Sequence, residues 1–157
     1  CAEQHDPIGS RRPIEAVWYT GRMMGETVAQ TICGNTTEYN PGHWFNSAKF
    51  LDIEYQTYGW VFSNQSKKDD ELHFHWKHPE KDICITVAYD ATTNTFLGIN
   101  TFGIRMRHEV FDQWLTNKVS VDFVIEHLKE ANFDPEFYTH FEKEIIRAYQ
   151  VQQTINA

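Results

Sequence analysis

Apolar residues along this chain recur first at helical spacing, then alternate with polar ones, then return to helical spacing in the tail. From Pro13 to Cys33 the apolar positions are Ile14, Val17, Trp18, Met24, Val28 and Ile32, and Gly34 comes next, where a helix C-cap prefers glycine. The pattern predicts a helix over this span. Pro13 suits its first turn, where the missing N–H would be unpaired anyway.

The middle of the chain reads as strands. After a loop from Asn35 to Asn46, Leu51, Ile53 and Tyr55 alternate with Asp52, Glu54 and Gln56, which predicts a strand with its apolar side inward. A short Gly59-Trp60-Val61-Phe62 run is expected to pair with it. Beyond a polar turn, Leu72, Phe74 and Trp76 alternate with His73, His75 and Lys77. Ile83, Ile85, Val87 and Tyr89 then mark the most β-branched strand, and Thr95 to Phe102 the next. About five strands in succession predict an antiparallel sheet.

Helical signals return at Glu109 to Thr116, at Ser120 to Ala131 with Ser120 as the cap, and from Asp134 onward. Asp134-Pro135-Glu136 combines a capping side chain, a first-turn proline and an acid near the positive helix end. Phe137, Phe141, Ile145 and Tyr149 would line one side of that last helix. A long N-terminal helix, an antiparallel sheet and C-terminal helices define an α+β fold.

Composition narrows the function classes. At 157 residues, 41% hydrophobic and 15% aromatic, the chain can bury one ordinary core. A formal charge of -8 argues against a nucleic-acid surface, which needs clustered Lys and Arg. No apolar run approaches the ~18 residues of a membrane span, and no signal-peptide pattern stands out. Cys1, Cys33 and Cys84 form no CxxC or zinc-type spacing, so the cytosol is the expected compartment.

Several residue groups invite chemistry. Arg11 and Arg12, placed at the positive end of the first helix, need an acceptor nearby, which is either a bound anion or solvent and the acids Asp6 and Glu15. Gly21 and Gly25 inside that helix cost ~1 kcal/mol each relative to Ala, which close approach of another backbone would explain. His73 and His75 share a strand face, with His78 close behind, but Phe74 and Trp76 claim the core side, so the histidines read as surface residues and no metal site is assigned. Arg105, Arg107 and His108 form a small basic patch, facing either an acidic partner or the acids of the domain itself; the second is favoured.

The opening carries a family resemblance. Cys1-Ala2-Glu3, a polar loop, and Arg11-Arg12-Pro13-Ile14-Glu15-Ala16-Val17-Trp18-Tyr19-Thr20-Gly21-Arg22 resemble the segment after the second flavin-binding motif of FAD-dependent pyridine nucleotide-disulphide oxidoreductases. His43-Trp44-Phe45-Asn46-Ser47-Ala48-Lys49 is similar to the aromatic-Trp-Ser stretch that leads into the C-terminal interface domain of that family. The Gly-Asp pair that precedes the small residue in relatives is missing, and Asn46 stands directly before Ser47, with Trp44 two residues earlier. With no initiator Met, the chain is expected to be a detached piece: 1–34 the tail of a flavin-binding domain, 35–157 the interface domain.

The resemblance implies that Cys1 and Ala2 lie beside the ribityl chain of FAD, that Glu15, Ala16, Val17 and Trp18 offer backbone N–H groups to the flavin pyrimidine edge, and that Trp44 lies against the flavin. The parent would pass hydride from NAD(P)H to FAD and on to an acceptor. No Gly-x-Gly fingerprint occurs, so no dinucleotide is expected on this piece and it carries no catalytic residue of its own. The implied partners are the missing FAD and NAD domains, a second copy in a homodimer, and a redox protein, with no nucleic acid and no membrane. Two alternatives stay open: an independent α+β module whose Trp18, Trp44 and Trp60 converge on a small-molecule pocket, and a lipoprotein anchored through Cys1.

Overall fold

A computed structural model describes residues 3–5, 12–137 and 139–156. Cys1, Ala2, Asp6 and Arg11 lie outside them. The chain divides into two compact units, 1–44 and 45–157.

The first unit contains α1, Trp18–Ile32. It starts five residues later than the apolar period predicted, because Pro13 to Val17 run outside the helix and Val17 is its extended N-cap. Arg12 therefore stands well ahead of the helix, not in its first turn. The other end matches expectation. Gly34 takes φ 90°, its N–H donates to the Thr31 carbonyl at 3.0 Å, and the Asn35 N–H reaches the Gln30 carbonyl at 2.9 Å, a Schellman closure that needs the missing side chain.

The second unit is a five-stranded antiparallel sheet with helices on one face. Its strands are β1 Phe45–Phe50, β2 Ile53–Gly59, β3 Glu71–Lys77, β4 Cys84–Asp90 and β5 Phe96–Phe102, in spatial order β1-β2-β5-β4-β3. The helices are α2 His108–Thr116, α3 Val121–Glu126, a 3₁₀ turn Leu128–Ala131, and α4 Glu142–Asn156. Ser120 caps α3 as expected, accepting the Phe123 N–H at 3.2 Å. α4 begins later than predicted: Asp134 adopts φ 42°, the signals around Pro135 build a turn instead, and Phe137 is exposed.

Alternation sets the inward face of β3 and β4, and β5 joins them across a register shift at Ala88 and Tyr89. Phe74, Trp76, Ile85, Val87, Tyr89 and Ile99 are buried there against Phe111, Val124, Ile125, Leu128 and Ile145 of the helical layer. Rings lock the two layers together: Phe111 stacks on Tyr58 at 4.9 Å between centroids, and Tyr149 meets Phe74 edge-on at 5.0 Å. The Tyr149 hydroxyl donates to Asp122 at 2.8 Å, tying α4 to α3.

On β2 the predicted facing is reversed. Leu51 is not in a strand but in the turn joining β1 and β2, with φ 51° and nearly full exposure, while Ile53 and Tyr55 face away from the helices. Gln56 and Tyr58 point into the core, where each finds a backbone partner on Met106. Trp60 to Phe62 form no strand; Trp60 lies against Gly98, where a Cβ would stand 2.6 Å from the Trp60 nitrogen.

Candidate functional site

Of the residues expected to meet a flavin, Glu15 to Trp18 run consecutively into the start of α1, while Cys1 and Ala2 lie outside the described residues. Glu15 is half-buried, Ala16 exposed, Val17 the N-cap, and Trp18 the first helical residue with 77% of its surface exposed. The N-cap Val17 makes no side-chain capping hydrogen bond, and no acid stands in the first turn. Thr20, buried within the turn, donates its hydroxyl to the Val17 carbonyl at 2.9 Å, so it faces back along the helix rather than closing the tip. A helix end leaves its first backbone N–H groups without intrahelical partners.

The glycines of α1 border open space. A Cβ at Gly21 or Gly25 would meet nothing within 4 Å. Instead of the close backbone expected from sequence, the described residues leave a hollow of about 640 Å³ lined by Gly21, Met24, Gly25, Val28 and Tyr39 among others. Val28 and Ile32 add 54% and 78% exposure to that of Trp18. Arg22 pairs with Glu26 at 2.7 Å one turn further on, a solvated contact of small energetic weight.

Trp44, the last residue of the first unit, is half-buried and directly precedes β1. The ring of the next residue, Phe45, lies 4.0 Å from that of His108, tilted by 32°. Asn46 donates its amide to the Tyr55 hydroxyl at 3.3 Å on the sheet face turned away from the helices.

The basic patch is largely engaged within its own unit. Arg105 Nε donates to Glu54 at 2.8 Å and its guanidinium lies 4.9 Å from the centre of the Phe133 ring, while Arg107 donates to the Glu130 carbonyl. Domain acids and carbonyls thus take up these cations, the reading favoured from sequence.

The histidines separate in role. His75 is exposed, and its Nδ1 lies 2.9 Å from the Thr86 hydroxyl. His73 Nε2 lies 2.6 Å from the carboxylate of Glu71, which is 3% exposed and also accepts the Phe62 N–H at 3.3 Å. A buried Glu71 gave no signal in the sequence because its cover is the non-strand stretch after Gly59. Among the described residues no group of three or more His, Cys, Asp or Glu is arranged to hold a metal ion. No helix among them is long and apolar enough to cross a membrane.

The fold places the chain among α+β proteins in which an N-terminal helix, an antiparallel sheet and C-terminal helices come in that chain order. Among solved structures it is similar to a FAD-dependent pyridine nucleotide-disulphide oxidoreductase from Desulfovibrio vulgaris, with a TM-score of 0.51 and 14% identity over 83% of this chain. The chain spans 31% of the length of that protein, so the likeness is to a part of it and is one of fold. No protein-family model and no curated protein matches the sequence.

Proposed function

We propose that this chain is the C-terminal part of a FAD-dependent NAD(P)H oxidoreductase, closing one side of a flavin site formed with polypeptide it does not itself contain. The observation that carries the reading is α1, whose N-cap Val17 makes no side-chain cap and whose Trp18, Val28 and Ile32 are exposed, Val28 lining an open hollow. Exposed apolar surface of this kind marks a face that a partner covers. The fold likeness to part of a flavoprotein supports the same reading.

In the parent, FAD would supply the hydride and electron chemistry. The tip of α1 at Glu15 to Trp18 would aim backbone N–H groups at the pyrimidine edge and favour negative charge there, a fixed electrostatic contribution made without reorganisation. Trp44 would exclude water from one side. Residues 45–157 would provide the surface for a second subunit or a redox protein, in a cytoplasmic setting. The exposure of Trp18 speaks for this reading over a closed small-molecule pocket built on the same tryptophans.

The coding region ahead of Cys1 tests the proposal. A Gly-Asp immediately upstream, with a Gly-x-Gly-x-x-Gly strand-helix unit further back, is the expected result. A secretion leader alone would sink it.

A further inference from the structure

Within the second unit, a small hollow of about 150 Å³ opens between the turn before β4, the connection after β5 and the stretch before α4. Its polar lining consists of Lys81, Arg105, Asn132 and Thr139, set between the rings of Phe133 and Phe141, and among the described residues no carboxylate lines it. Lys81 and Arg105 are the charged groups of its lining, with the carboxylates of Glu54 and Glu142 standing behind Arg105 and Asn132.

Both cations are steered by rings. Lys81 Nζ stands 5.4 Å from the centre of Phe141, and Arg105 lies over Phe133 with its Nε committed to Glu54. Lys81 makes no ion pair among the described residues, so its charge is the one left without a carboxylate partner. Asn132 gives its amide to Glu142 and lies 3.1 Å from His140, which fixes its position at the rim. A space of about 150 Å³ admits water and a small oxyanion.

We propose that this recess binds a small oxyanion, a phosphate or carboxylate group, between Lys81 and Arg105. Lysine serves as the point charge and the arginine as the fixed wall, the division of labour expected when one cation is mobile and the other planar and held. The site is built from the second unit alone and does not depend on the flavin reading of α1.

Titration of the isotopically labelled chain with inorganic phosphate, and separately with acetate, tests the site against chloride at matched ionic strength. Saturable amide shifts at Gly103, Asn132 and Thr139 are expected, and Lys81→Met, at an exposed position, should weaken the response about tenfold while leaving the rest of the spectrum unchanged. Lys81→Arg should retain it. A response to both anions assigns any oxyanion, and to phosphate alone a phosphoryl group. Shifts no larger than those from chloride, or an unaltered response in Lys81→Met, would overturn the proposal.

Discussion

The side chain of Gln56 accepts the backbone N–H of Met106 at 2.6 Å, across 50 residues of sequence. The Tyr58 hydroxyl donates to the carbonyl of the same residue at 2.9 Å. Together they anchor the connection between β5 and α2 to the inner face of β2, with Arg105 and Arg107 on either side of the buried Met106. Burial, aided by the nearby charges of Glu109 and Glu54, pushes the Tyr58 phenol well above its usual range, so it remains a hydrogen-bond donor at any physiological pH.

Gln56→Leu should therefore destabilise the chain by ~1–3 kcal/mol, since it leaves the Met106 N–H buried without its acceptor. Chemical denaturation of the two proteins measures this. A change below ~0.5 kcal/mol would show that the contact is replaceable.

Two glycines should respond in opposite directions. At Gly98 a Cβ would stand 2.6 Å from the nitrogen and 2.7 Å from the oxygen of Trp60, so Gly98→Ala should cost ~1–3 kcal/mol or more. At Gly25 nothing lies within 4 Å, so Gly25→Ala should stabilise α1 by ~0.5–1 kcal/mol in this chain. If, as proposed, further polypeptide of a flavin-binding parent fills that space, the same Gly25→Ala there should instead loosen flavin retention. Thermal midpoints of the chain and flavin content of the parent read the two halves.

His140 carries a pH signature. Its side-chain hydrogen bond to Glu142, then the Pro135 carbonyl at 2.9 Å, hold its pKa above the ordinary 6.5. Burial pushes Glu142 upward, but the hydrogen bonds from Asn132, its own backbone N–H and His140 outweigh that and leave it lowered. A raised histidine contributes stability that is fully present below 6.5 and is lost as the pH rises through its folded value. The gap in thermal midpoint between the chain and His140→Ala should be widest in mild acid and should narrow on the alkaline side. A gap that widens with pH would contradict the assignment.

The strands β3 and β4 were legible because Phe74 and Trp76, and Ile85, Val87 and Tyr89, alternate along the chain and are buried on the same side, although Leu72 at the start of β3 is exposed and the pairing of β4 with β5 shifts register at Ala88 and Tyr89. β2 misled for a physical reason. Its inward polar residues are satisfied by Arg105 and Met106, partners far along the chain, while its outward Tyr55 is packed between Phe50 and Phe102 at 6.0 and 5.8 Å. The β1–β2 turn was equally hidden, since Leu51 occupies the left-handed region that turns usually give to Gly, Asn or Asp. At the start of α4, cap and proline signals arose at a turn, and nothing local marks the later onset at Glu142. At the candidate site, the Gly34 closure and the apolar stripe of α1 could be read directly. The bare Val17 cap and the hollow beside Gly21 and Gly25 could not, because both are defined by what is not beside them.

The most direct test is hydrogen exchange along α1 in the protein made from the intact coding sequence, set beside this chain and accompanied by an absorption spectrum. Bound flavin, together with amides of Glu15 to Trp18 that exchange more slowly than in the chain alone, is the expected result. A product without flavin, or one that binds flavin while the tip of α1 exchanges at the rate of the isolated chain, would contradict the account.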